Sequence, residues 1–204
     1  MTRLSASSFA ALAAALAVVF GVALLVGGPG SNADRALIAA VAWPELIAAA
    51  RVFTRFADWW AALLIATMAA ASLAYGGHRR RGILLVALVF SGRAVVELMK
   101  FAFDRARPDP AGHGIAVHSM AFPSGHSANA MLLGLGLALL LPLERRGRVV
   151  AVTVALLFAA AIGASRVVLN VHWPSDVMGG WSFGALWTLL LLRLFGGTSQ
   201  ERLH

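Results

Sequence analysis

Residues 4–33, LSASSFAALAAALAVVFGVALLVGGPGSNA, contain no charged side chain. A helix needs about 20 mostly apolar residues, with a range of about 17–25, to cross the hydrocarbon core of a bilayer. This stretch is long enough, and it is one of several. Residues 59–77 form a second uncharged block, 82–92 open a third, and 127–143, 149–165 and 177–192 complete the set. The pattern reads as an all-α integral membrane bundle of six helices, near 8–28, 57–76, 82–101, 124–142, 148–166 and 175–195, in a single domain over residues 1–204. The first block reads as a retained span. Its only basic flank is Arg3, no small-residue cleavage site stands out, and five more blocks follow.

Composition supports this reading. Hydrophobic residues make up 60% of the 204 and charged residues 13%, against about 45–50% and about 25% in soluble domains. There is no cysteine, so disulfide frameworks and thiolate metal sites are excluded. The formal net charge is +8. In a soluble chain that balance suggests nucleic acid; between membrane spans it reports basic cytoplasmic loops. Nucleic acid is therefore not expected as a partner. Arg79, Arg80 and Arg81 lie between blocks two and three, and Arg145, Arg146 and Arg148 between blocks four and five. The positive-inside rule puts both sets, and both termini, in the cytoplasm. Abundant Ala and Arg with scarce Lys suggest a GC-rich bacterial genome, hence a bacterial inner membrane.

The opposite side holds the connections 29–56, 102–123 and 167–174. In the first, Ser31 and Asp34 have capping-box-like spacing and Pro44 suits a first helical turn. Two short helices at the membrane surface are expected, serving as a connector or as a lid. Gly134, Gly136, Gly179, Gly180 and Gly184 would let helices approach closely.

Ionisable groups at membrane depth are costly and mark function. Three separated groups fall at this same face: Lys100 with Arg107-Pro108, then Pro123-Ser124-Gly125-His126, then Ser165-Arg166 with His172 and Asp176. Lys100, Arg107 and Arg166 supply three cations, two with planar forks suited to phosphoryl oxygens. Ser124-Gly125-His126 opens a helix whose first N–H groups lack intrahelical acceptors and favour an anion. The set suits a phosphate-like dianion. His172 and Asp176 are four residues apart around a helix start. A carboxylate on one imidazole nitrogen fixes the tautomer and leaves the other free to attack. His126 could protonate the leaving oxygen and later activate water. One carboxylate among three cations makes a poor divalent-metal site, and no cofactor is expected.

These motifs make the chain resemble the type 2 phosphatidic acid phosphatases. Lys-x6-Arg-Pro matches Lys100 to Pro108, Pro-Ser-Gly-His matches Pro123 to His126, and Ser-Arg-x5-His-x3-Asp matches Ser165 to Asp176. The resemblance implies that His172 is a nucleophile forming phosphohistidine, His126 the general acid, and Asp176 the group that orients His172. It implies that Lys100, Arg107, Ser124, Gly125 and Arg166 bind phosphate. The substrate implied is a membrane lipid phosphate or diphosphate of undecaprenyl diphosphate, phosphatidate, phosphatidylglycerophosphate or lipid A type. A phosphotransferase using the same intermediate and a non-enzymatic lipid-binding or transport protein are the rivals.

Other polar residues have plainer readings. Arg93 and Glu97 have i, i+4 spacing and would satisfy each other; Glu97 would also reach Lys100. Ser165 would bond either phosphate or its own helix. Trp59, Trp60 and Trp173 fit an interfacial aromatic belt. His113 and His118 receive no role.

Overall fold

A computed structural model of the chain describes residues 5–41, 43–109, 115–117 and 119–196; His113 and His118 lie outside them. Among the described residues every regular element is helical: α1 (Ala6–Val26), α2 (Asn32–Ala40), α3 (Pro44–Thr54), α4 (Trp59–Tyr75), α5 (Arg79–Phe103), α6 (Gly125–Leu140), α7 (Arg145–Val168) and α8 (Pro174–Phe195). A single 3-10 turn, Arg55–Ala57, joins α3 to α4.

The helix ends follow from local chemistry. The Ser31 hydroxyl accepts from the Asp34 N–H at 3.3 Å, which starts α2, and Pro44 occupies the first turn of α3. Both expected short helices of the 29–56 connection are therefore present. Asp104 ends α5 in the left-handed region (φ 45), its N–H returning to the Lys100 carbonyl at 3.1 Å. Asn170 (φ 53) ends α7 the same way, and Val171 N–H reaches back to the Arg166 carbonyl at 3.2 Å. Each reversal falls just after a cationic motif residue and turns the chain back over the same end of the bundle.

Helix α6 is the centre. It packs against α4, α5, α7 and α8, and 12 of its 16 residues are buried, whereas α1 buries only Ala23. Lipid is as apolar as leucine, so such packing relies on close van der Waals fit at small residues. A Cβ on Gly180 would sit 2.5 Å from the Ser124 carbonyl oxygen, and one on Gly134 would sit 2.9 Å from the Ala155 Cβ. Both are helix–helix contacts of α6, to α8 and α7. The first holds the Ser124–His126 turn beside the start of α8, where Ser124 N–H donates to the Asp176 carbonyl at 2.9 Å.

Among the described residues four helices, α1, α5, α7 and α8, are long and apolar enough to cross a membrane. The bent α2–α3 pair makes a fifth only if counted as one broken span. Two of the six expected spans are shorter than read: α4 has 17 residues and α6 has 16. The glycine pair Gly76-Gly77 stops α4. Leu141 leaves α6 in extended backbone before Pro142, as residues preceding proline prefer. The basic triplets correct the sequence reading in a second way. Arg79–Arg81 and Arg145, Arg146 and Arg148 lie in the first turn of α5 and of α7 rather than in loops. They mark the end of the bundle opposite Lys100 and Arg166, and there Arg80 donates to the Phe195 carbonyl at 2.8 Å.

Candidate active site

The three motif groups converge. A cavity of 140 Å³ at the end of the bundle is lined by Lys100, Arg107, Gly125, His126, Arg166 and His172, together with Asp58, Trp59, Arg93, Val117, Ser119 and Asn129. Asp176 lies behind His172 and is fully buried.

His172 is held from both sides. Arg107 Nη1 donates to its Nε2 at 3.1 Å. A guanidinium can only donate, so Nε2 carries the lone pair and Nδ1 the proton. That proton faces Asp176 Oδ2 at 3.4 Å. The same oxygen accepts from the Trp173 N–H at 2.9 Å, which fixes the carboxylate within the first turn of α8. Burial, followed by the charges of Arg107, Arg166 and Lys100, holds the His172 pKa well below its ordinary 6.5. The ring is therefore neutral at physiological pH. Burial also lowers Arg107, with Asp176 opposing the shift.

The cations are placed by the loops that follow them. Arg107 donates through Nε to the Ser119 carbonyl (2.6 Å), through Nη2 to Ser119 Oγ (3.1 Å), and through Nη1 to the Val171 carbonyl. Lys100 Nζ donates to the same Ser119 Oγ at 3.0 Å and lies 3.7 Å from Glu97. Glu97 also pairs with Arg93 at 2.7 Å, so the expected Arg93–Glu97–Lys100 chain forms. Arg93 is more than a structural partner: it lines the cavity, and a Cβ added at Gly125 would stand 3.0 Å from its Nη1. Arg166 Nη1 donates to Thr54 Oγ1 at 2.8 Å, while its buried Nε has no protein partner.

The first bond of the α6 ladder is Ala128 N–H to the Ser124 carbonyl at 3.0 Å. The N–H groups of Gly125, His126 and Ser127 precede it and have no carbonyl within the helix. Ser124 itself stands outside the cavity wall. It is fully buried, its hydroxyl accepting from Ser127 Oγ at 3.0 Å. Two minor readings resolve. Ser165 donates to the carbonyl of Ile162 at 2.6 Å in its own helix. Trp173 is not an interfacial anchor, because it is buried and its indole N–H donates to the Ala106 carbonyl at 2.9 Å.

The sequence reading omitted five contributors. Asp58 Oδ1 accepts from His126 Nε2 at 2.8 Å, giving the second histidine a carboxylate of its own. Thr54 holds Arg166, and Ser119 bridges Lys100 and Arg107. Asn129 Nδ2 donates to the Ala57 carbonyl at 3.1 Å, leaving Oδ1 as a buried acceptor without a protein partner beside the cavity. Arg105 donates to Asp176 Oδ1 at 2.9 Å. The only sequence signal for Asp58 was a lone carboxylate at the start of an apolar block. Thr54 and Asp58 both come from the 29–58 connection, which therefore builds one wall of the site.

Known proteins place this arrangement. The PAP2 superfamily sequence model matches residues 80–199. Phosphatidylglycerophosphatase B of Bacillus subtilis is 37% identical over 125 residues, 58% of this chain and 58% of that protein. Lipid A 1-phosphatase of Rhizobium johnstonii is 37% identical over 122 residues, 55% of this chain and 46% of its own length. The chain thus spans about half the length of these two relatives. Decaprenylphosphoryl-5-phosphoribose phosphatase of Mycobacterium tuberculosis is 28% identical over 188 residues, covering 89% of this chain and 94% of that one. Among solved structures, a transmembrane PAP2-type phosphatidylglycerolphosphate phosphatase from Bacillus subtilis superposes with a TM-score of 0.71 over 95% of both chains at 25% identity. Aquifex aeolicus LpxE shares the fold, with a TM-score of 0.62 over 83% of this chain and 99% of its own, at 20% identity. The family match covers more than half of the chain and includes all three motif groups, so this all-helical, membrane-embedded protein belongs to the PAP2 superfamily.

Proposed function

We propose that the chain is a lipid phosphatase that hydrolyses a phosphate monoester or diphosphate on a membrane lipid through a phosphohistidine at His172. The observation that carries this reading is the setting of His172: a neutral imidazole with its lone pair directed at a cationic cavity and its proton at a buried carboxylate. A phosphoryl group entering the cavity takes over the Arg107 contact to Nε2. Nε2 then attacks phosphorus as the bond to the lipid oxygen breaks, and the proton stays on Nδ1, facing Asp176. In its doubly protonated form His126 donates its Nε2–H to Asp58 and gives its Nδ1 proton to the departing oxygen, leaving a neutral ring. In the second step His126 Nδ1 takes a proton from water, water oxygen attacks phosphorus, and the P–N bond breaks to release inorganic phosphate. Lys100, Arg107, Arg166 and the α6 N-terminus with Gly125 neutralise the transferred group; positioning and electrostatics dominate phosphoryl transfer. Ser124 supports that turn from behind. The donor set is cationic and needs no metal for this role.

In this reading residues 1–204 form one domain with six spans, α4 and α6 crossing as short helices in the shelter of the others. The arginine-rich end faces the cytoplasm of a bacterial inner membrane and the cavity opens outward. The relatives' names share a phosphate group on a membrane lipid, which supports the substrate class. The test is phosphate release by the purified protein, with EDTA present, from undecaprenyl diphosphate, phosphatidate, phosphatidylglycerophosphate and a soluble monoester. Release that survives EDTA and vanishes in His172→Ala is expected. Transfer to an added alcohol with no free phosphate would instead mark a transferase.

A further inference from the structure

Arg105 is a buried cation that does not line the cavity. It lies on the far side of Asp176 from His172, and each of its contacts is specific. Nη1 donates to Asp176 Oδ1 at 2.9 Å and to Ser175 Oγ at 3.1 Å. Nη2 donates to the Ala23 and Leu24 carbonyls, at 2.9 and 2.6 Å. These are last-turn carbonyls of α1, which have no intrahelical partner and carry the negative end of the helix dipole. The guanidinium lies 4.3 Å over the Phe122 ring.

A second buried charge completes the assembly. Asp34, near the start of α2, accepts from Ser175 N–H at 3.0 Å, from Ser175 Oγ at 2.6 Å and from Gly28 N–H at 2.6 Å. It thus caps the first turn of α8 from outside that helix. The glycines between α1 and α2 permit the approach. A Cβ on Gly27 would lie 2.1 Å from Ser175 Oγ, and Gly28, at φ +96, lies against the Arg105 side chain.

Asp176 therefore has its two oxygens divided. Oδ2 faces His172 and the Trp173 N–H, whereas Oδ1 is fixed by Arg105. Without Arg105 one oxygen of a fully buried carboxylate would lose its charged partner, and the carboxylate plane would no longer be set against the imidazole. Asp34, Gly27, Gly28 and the α1 carbonyls all precede residue 80, where the superfamily match begins.

We propose that Arg105 is a positioning residue of the site: anchored on α1 and, through Ser175, on Asp34, it aims Asp176 at His172, so the N-terminal segment is part of the catalytic apparatus. This rests on His172 as nucleophile and Asp176 as its orienting carboxylate. The test uses the full chain in detergent, with initial rates on phosphatidate and inhibition by orthovanadate as a readout of anion binding. Removing an outer partner that orients a metal ligand typically costs about 10–100-fold, and a loss of that order is expected for a partner that orients a reacting side chain. Arg105→Gln is expected to lose that factor in kcat, with KM and vanadate inhibition within about 3-fold. Arg105→Lys, which keeps the charge and loses the fork, should fall between. Asp34→Asn should lose about 3–10-fold, and the double variant with Arg105→Gln should be no slower than Arg105→Gln alone, as expected of one coupled unit. Wild-type kcat in Arg105→Gln beside an inactive His172→Ala would overturn the proposal. So would a rise in KM and weaker vanadate inhibition at unchanged kcat, which would make Arg105 a binding group. If Arg105→Gln does not purify as a monodisperse protein, wild-type kcat in both Arg105→Lys and Asp34→Asn would overturn it. Turnover surviving in His172→Ala would overturn the nucleophile reading itself.

Discussion

Two histidines face one cavity, each with a carboxylate, yet the pairs are built differently. His172 and Asp176 lie four residues apart across the start of α8, and both are almost wholly buried. His126 and Asp58 lie 68 residues apart, on α6 and at the end of the connector, and both are about a quarter exposed. The buried pair is rigid: Trp173 and Arg105 hold the carboxylate while Arg107 holds the ring. The second pair has more access to solvent. A nucleophile benefits from fixed aim, and a group that gives a proton and takes one back from water benefits from access. The asymmetry fits the proposed roles.

The comparison breaks first at His172. His172→Ala should abolish turnover by about 10⁴-fold or more, since the attacking atom is gone; a phosphate-release assay reads it. Next, Asp176→Asn should lose about 10³–10⁴-fold in kcat, by analogy with other orienting carboxylates whose amides favour the wrong tautomer. Asp58→Asn should cost less, about 10–100-fold, because His126 keeps its place at the α6 N-terminus and loses only its charged partner. That loss should be smaller for an aryl phosphate, whose leaving group needs no proton. Equal losses in Asp58→Asn and Asp176→Asn would erase the distinction between the pairs.

The difference also explains what could be read from the chain. His172–Asp176 is legible from its four-residue spacing around a helix start, and the Ser31 cap, Pro44 and the turn at Gly125 from local helix-start chemistry. Asp58–His126, Arg105–Asp176 and Asp34–Ser175 join residues 68, 71 and 141 apart. No local period encodes them, because the segments connecting the long helices, α2 included, carry Asp34, Asp58 and Arg105 to their partners. Hydropathy overread the length of α6 for a related reason. A helix buried among protein helices and one facing lipid are equally apolar, and only the former can be as short as 16 residues. Trp173 reads as an interfacial tryptophan until its N–H is found on the Ala106 carbonyl.

pH supplies the smallest effect and sharpens the same contrast. His172 is held neutral below its ordinary 6.5, chiefly by burial. As pH falls through 6.5 the unfolded chain binds a proton at this residue that the folded chain does not, so stability falls with pH in that window. His172→Asn should flatten this slope in melting temperatures measured between pH 7 and pH 5. The acid limb of kcat/KM should likewise lie below 6.5, since the free enzyme keeps the nucleophile unprotonated there.

The most direct test is to trap the intermediate. With an aryl phosphate, His126→Ala should still form the covalent species, because the leaving group departs unaided, yet should fail to hydrolyse it. Rapid quench should show a stoichiometric burst of phenol and base-stable, acid-labile phosphate on the peptide containing His172. Label on another residue, or steady turnover in His126→Ala with no burst, would contradict the account.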